Sequence, residues 1–193
     1  MKRTRSAPAY GRLWRQALAA WLLACAGAVW GGELKAVSEY QVKAVFLFRF
    51  TQFVEWPAAG GAGADAPFVI GIAGEDPFGA ALDEAVRKEL VQGRRPIVVE
   101  RFDGSETIPK CDMLFIGRSA KERANRLLGQ VKNQAVLTVA DTTGAAEEGV
   151  MINLLLAQGS VKMEINQAAL ASAGLKVSAK LLSLARIVNT NSP

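Results

Sequence analysis

PFVIGIAGEDPFGAALDEAVRKELVQGRRPIVVERF, Pro67–Phe102, is the stretch that decides the fold. Pro67–Gly74 is a continuous apolar run of strand length, the pattern of a strand buried on both faces. It breaks at Gly74-Glu75-Asp76-Pro77. Asp76 as cap and Pro77 at the first helical position predict a helix running towards Leu90. Gln92-Gly93-Arg94-Arg95 then turns the chain into a second strand, Pro96–Phe102. Such a strand–helix–strand unit predicts parallel strands joined by a right-handed crossover.

The pattern recurs downstream. After a polar loop (103–110), Asp112–Gly117 is a third strand. Ser119 with Glu122 forms a capping box that predicts a helix through about Gln130, and Ala135–Ala140 is the fourth strand. Past Asp141 and the loop 142–149, Val150–Ala157 and Ser160–Ile165 are joined through Gln158-Gly159 and predict a hairpin. In its second arm Val161, Met163 and Ile165 alternate with Lys162 and Glu164, so one face is expected to be wet. Asn166 caps a short helix ended by Gly174. Ser178 opens a last helix, Ala179–Val188, with Leu181, Leu184, Ala185 and Val188 on its core face. The expected fold is a single α/β domain: a mainly parallel open sheet of Rossmann or flavodoxin-like kind, a C-terminal antiparallel hairpin, and helices on both faces.

Upstream stands SEYQVKAVFLFRFTQFVEWP, Ser38–Pro57. Ser38 with Gln41 is a capping box. Val42, Val45, Phe46, Phe50 and Phe53 recur at helical spacing, and Leu47 and Phe48 widen the stripe. Lys43, Arg49, Gln52 and Glu55 are left for a narrow polar face, and Trp56-Pro57 ends the helix. Four of the eight phenylalanines lie in Phe46–Phe53, so burial of this helix is a large term in folding. Any surplus aromatic face is a candidate for docking by a partner. Residues 58–66 form a loop rich in alanine and glycine.

The charge is asymmetric. Of the 23 basic residues, five (Lys2, Arg3, Arg5, Arg12 and Arg15) stand in residues 1–28, which hold no acidic residue. The remainder carries 18 of each sign, which leaves no basic patch for nucleic acid. The basic start, the uncharged run Gln16–Val29 and Ala26-Gly27-Ala28 predict a secretory signal peptide over residues 1–28. A linker (29–37) and one domain (38–190) follow. Leu22-Leu23-Ala24-Cys25 gives a second reading, a lipobox with lipidation at Cys25. A retained membrane anchor is disfavoured, because the uncharged span Gln16–Gly32 is short for a bilayer and rich in glycine. Either way the destination is outside the cytoplasm.

Catalytic chemistry finds little support. With no histidine in the chain, the commonest general base and metal ligand is missing. Once the signal is removed Cys111 is an unpaired thiol, expected to be buried and inert beside the run Met113–Ile116. The Gly71–Gly74 turn lacks the third glycine or the lysine of a phosphate-cradling loop. Glu75, Asp76 and Asp141 follow the first and fourth strands, and Arg118 follows the third. These four form a candidate ligand edge at the carboxyl end of the sheet, where open α/β sheets bind ligands. The arrangement is faintly similar to a receiver domain, but Gly117-Arg118 stands where a phosphoacceptor aspartate would end the third strand. No catalytic residues, metal site or cofactor are expected.

The motifs, in this order and spacing, resemble the YfiR-like family of bacterial periplasmic regulators. They are the opening helix ending Glu55-Trp56-Pro57, FVIGIAGEDPFG (68–79), Gly93-Arg94 with Pro96-Ile97, Cys111–Ile116, VLTVAD (136–141), GVMINLL and GSVKMEIN (149–166), and AGLKVSAKLLSLARIV (173–188). The resemblance spans roughly Tyr40 to Val188. It implies a secreted, non-catalytic α/β regulator that holds the extracytoplasmic domain of an inner-membrane diguanylate cyclase inactive, and so controls cyclic-di-GMP and biofilm formation. It further implies a cysteine in the first strand, where this chain has Gly71, and a second pair late in the fold, which this chain lacks. Redox switching through an internal disulfide is therefore not expected. The partner surface is expected on the last helices and the strand before them, at Glu164, Leu170, Leu175, Lys176 and Lys180; the two leucines flank the Gly174 turn. A small-molecule sensor or carrier feeding a sensor kinase is the second functional reading, and a homodimer is left open.

Overall fold

A computed structural model of the chain describes residues 38–57, 66–87, 89–91, 94–103 and 107–188. The expected signal peptide, the Cys25 alternative and the linker lie outside these residues, as do the Gln92-Gly93 turn and residues 58–65 of the loop.

Helix α1 (Glu39–Phe53) begins as the sequence predicts. Ser38 Oγ accepts from the Gln41 amide, and Gln41 Oε1 accepts from the Ser38 amide. It ends earlier than Trp56-Pro57 suggests, because Val54 is already extended and Val54–Glu55 forms strand β1. The buried side is also rotated from the expected stripe. Lys43, Ala44, Leu47, Phe48, Phe50 and Thr51 face inward, whereas Val45 is 50% exposed. Polar partners permit this: Lys43 is charge-paired, and Thr51 Oγ1 donates to the Phe48 carbonyl. Phe48 and Phe50 lie in the core and Phe46 and Phe53 pack against it, so the aromatic surplus is mostly absorbed by the domain itself.

β2 (Phe68–Ala73), β4 (Arg95–Phe102), β5 (Met113–Ile116) and β6 (Leu137–Ala140) lie close to their expected positions. The helix after β2 is shorter. Asp76 Oδ1 accepts the Phe78 amide in a local turn, Gly79 takes φ +51°, and α2 runs only over Ala80–Val86. Leu90–Val91 forms β3, antiparallel to β4. Ser119 does not cap a helix either. Its Oγ accepts the Glu75 amide, Arg118–Arg123 winds as a 3-10 segment, and α3 starts at Ala124 and ends at Gln130.

The hairpin forms as β7 (Ile152–Ala157) and β8 (Ser160–Asn166), with Gln158 and Gly159 at positive φ. Asn166 caps α4 (Gln167–Ser172), accepting the Ala169 amide at 2.9 Å. β9 (Lys176–Val177) pairs antiparallel with β1. The last helix is one turn, α5 (Ala179–Leu182), after which β10 (Arg186–Val188) joins β8 in parallel. Leu181 and Val188 are buried for these separate reasons, while Leu184 is 69% exposed. The open edge of β8 overrides the helical pattern by offering backbone partners to Ile187 and Val188.

The main sheet has the order β10-β8-β7-β6-β5-β2-β4-β3. It is mixed, not simply a mainly parallel open sheet. β4, β2, β5, β6 and β7 are mutually parallel, and antiparallel pairings flank them at β3·β4 and β7·β8. The chain crosses from β2 to β4 in one direction and from β5 to β6 in the other. Right-handed crossovers then place α2 and α3 on opposite faces. Phe68, Ile70, Ile72, Phe115 and Val139 share one core with α1, α2, α4 and α5. Leu114, Ile116 and Ala140 form the second core with Leu127 and Val131.

Candidate functional site

The carboxyl ends of the parallel strands carry two separate charged clusters. The expected ligand edge of Glu75, Asp76, Arg118 and Asp141 is divided between them.

The first cluster joins Arg118 and Asp141 to three α1 residues outside the expected edge. Lys43, expected on a polar face, is fully buried, with Nζ 2.8 Å from Asp141 Oδ2 and a second contact to Glu39 one helical turn earlier. Tyr40 OH donates to the same Asp141 oxygen at 2.8 Å. Arg118 lies 2.6 Å from Glu39 Oε1 and 3.3 Å from Asp141 Oδ2. Burial and the Asp141 hydrogen bond push the Tyr40 hydroxyl well above its ordinary pKa. Burial acts to raise Glu39, but Lys43 and Arg118 outweigh it and hold that carboxyl low. Asp141 Oδ1 is buried with no hydrogen-bond partner among the described residues. Two positive and two negative groups balance, so the cluster fastens α1 to the end of β6. The sequence signal for it was Glu39 and Lys43 at i,i+4, one turn inside the capping box.

In the second cluster Asp76 Oδ2 meets Arg101 Nε at 2.7 Å, and Arg101 Nη2 meets Asp83 at 2.6 Å. These bonds, led by the one to Asp83, raise the Arg101 pKa. Glu75 stands exposed beside this cluster, at the rim of an open cleft. No group of three or more His, Cys, Asp or Glu among the described residues is placed to hold a metal ion.

The expected partner surface is also divided. Leu170 and Leu175 are core residues, 3% exposed each, and pack with Leu181 under the sheet. Glu164 is buried too. Its side of the hairpin is covered because Arg186 of β10 folds over it, and Asn153 Nδ2 donates to its Oε2. Lys176 and Lys180 remain exposed.

The sequence pattern described as YfiR/HmsC-like matches residues 40–186. The chain belongs to the YfiR/HmsC-like family. No curated protein matches it. Within this YfiR/HmsC-like domain Cys111 is a free, buried thiol, its pKa pushed up to about 12 by burial, with Asp112 and Glu100 adding to the effect. A Cβ built on Gly71 would lie 3.6 Å from both Cβ and Sγ of Cys111, which is inside the Cβ–Cβ range of a disulfide. The strand position where the resemblance implies a cysteine is thus in bridging distance, and glycine leaves Cys111 without that partner. Among the described residues of this family member no helix is long and apolar enough to cross a membrane.

Proposed function

We propose that the chain is an exported, non-catalytic regulator. It docks on the extracytoplasmic part of an inner-membrane diguanylate cyclase, holds that enzyme inactive, and so lowers cyclic-di-GMP. The observation that carries this reading is the family match across residues 40–186. The basic, apolar start supports export to the periplasm by a signal peptide over residues 1–28, or as a lipoprotein at Cys25, ahead of a domain over residues 38–190.

A contiguous outer surface supports the docking step. Glu55 pairs with Lys176 across β1·β9, and Lys180 Nζ sits 5.7 Å from the centre of the Phe53 ring. The two candidate surfaces, the aromatic helix and the C-terminal elements, therefore meet at Phe53, Glu55, Lys176 and Lys180. Both lysines are free to engage a partner's acidic groups at little desolvation cost. The test is affinity purification from membranes of the native host with wild type and a Lys176→Glu/Lys180→Glu variant, and identification of the retained membrane diguanylate cyclase by mass spectrometry. Retention by wild type and loss by the variant is the expected result. Retention of a neighbouring sensor kinase instead would overturn the choice of partner.

A further inference from the structure

One edge of the main sheet is only partly covered. β4 runs over eight residues, but β3 pairs with Arg95 and Pro96 alone. Backbone groups alternate in direction along a strand, and the Gly74 amide, donating to the Phe102 carbonyl, sets the phase. Val98, Glu100 and Phe102 turn their amides and carbonyls towards β2. Ile97, Val99 and Arg101 turn theirs outward, where no strand among the described residues meets them. A row of unpaired edge groups is a template for one more strand.

The side chains along this edge narrow the choice of strand. Val98 and Glu100 share one face and are both exposed. Leu90, opposite Pro96 and 49% exposed, extends the same face. Arg101 is already held by Asp76 and Asp83. Glu100 is then the charge on the open stretch Ile97–Phe102 with no ion pair among the described residues. On the other face Ile97 and Val99 pack against the core.

We infer that the outer edge of β4 takes an extended segment of a partner protein as an added strand, with a basic side chain opposite Glu100 and an apolar one opposite Val98. The backbone groups of Ile97, Val99 and Arg101 attach it, and the two cross-strand pairs select it. A second copy of this chain fits poorly. Val99 set against Val99 of the other copy brings Phe102 opposite Pro96, where Leu90 already pairs. The next register sets the two Glu100 carboxylates face to face, a destabilising arrangement. Glu100 thus turns the edge away from self-association and towards a basic strand.

The test is titration of the exported chain, with no other protein present, with two end-blocked peptides. One is Thr-Val-Thr-Lys-Thr-Val-Thr, and the other has Glu in place of Lys. Amide resonances follow binding, and hydrogen exchange follows its pattern. The Lys peptide should slow exchange at Ile97, Val99 and Arg101, and leave Val98 and Glu100, already bonded to β2, as they were. The Glu peptide should bind about two- to fivefold more weakly, the worth of a cross-strand charge pair. Glu100→Lys, at an exposed position, should reverse that preference. Val99→Pro removes an outward amide while sparing the β2 ladder, and should abolish the pattern. The proposal is overturned if millimolar Lys peptide protects none of the three outward amides, or if protection falls equally on all residues of β4. It is overturned too if the Glu peptide binds as well as the Lys peptide. Protection of the same amides in the chain alone as its concentration rises would make a second copy the occupant, and would also overturn it. Should Val99→Pro fail to fold, the exchange pattern and Glu100→Lys still decide. With no cyclase present, the outcome is independent of the docking reading.

Discussion

Lys43 shows most sharply how one residue can carry a structural decision. A lysine 0% exposed and paired with an equally enclosed Asp141 is stable only while both partners remain. Removing one leaves the other buried with only its flanking partner, Glu39 for Lys43 or Arg118 and Tyr40 for Asp141, which costs up to about 3–5 kcal/mol. Lys43→Ala and Asp141→Ala should each lower urea stability by up to that amount, whereas the double variant should lose much less than the two together. Additive losses would mean that the pair does not interact as described. Titration gives a second check at this scale. Glu39 is held below its ordinary 4.5, so its contribution is present above that pH and is lost as pH falls through the folded value. Cys111 has the opposite sign. Its folded pKa of about 12 exceeds the ordinary 9.0, so its contribution is complete below pH 9 and is lost as pH rises towards 12. Stability measured across that alkaline window should fall less steeply in Cys111→Ala than in wild type. Lys43 was hidden in the sequence because charge alone assigns a lysine to a solvated face. Its partner Asp141 stands 98 positions away, and only the fold brings the two together.

At the scale of elements, the strands were legible and the short helices were not. Buried parallel strands announce themselves as apolar runs, and β2 and β5 are such runs, with β6 broken only by the buried Thr138. Helix α2 and the end of the chain were misread because each local signal had a stronger competitor. Asp76 is drawn to Arg101 and the Phe78 amide, Ser119 to Glu75, and Ile187-Val188 to the free edge of β8. The same elements reverse an expectation about the leucines. Leu175→Ala should now cost 2–5 kcal/mol, as for any buried leucine, and Lys180→Glu no more than about 0.5 kcal/mol. Equal effects in thermal melts would contradict the burial of α4 and its following turn. Between β2 and the entry to β5, Gly71→Cys should form a bridge to Cys111 without reductant. The loop it closes is long enough for a gain of about 3–4 kcal/mol, visible as a melting point that drops on reduction. Wild type, with Cys111 free, should melt at the same temperature with and without reductant.

For the whole molecule, the residues of the candidate ligand edge do lie at the carboxyl end of the sheet, but they sort into two clusters that no spacing rule could separate. Asp141 belongs to the fastening of α1, and Glu75 to an open cleft. The exposed lysines lie against β1 (Lys176, opposite Glu55) and the end of α1 (Lys180, over Phe53), and the proposed regulatory surface rests on them. The most direct test is cyclic-di-GMP in cells that express the membrane diguanylate cyclase with this chain or with its Lys176→Glu/Lys180→Glu variant. Wild type should lower cyclic-di-GMP, and the variant should leave it high while being exported in equal amount and melting at the same temperature. Unchanged cyclic-di-GMP with wild type, or full repression by the folded variant, would contradict the account.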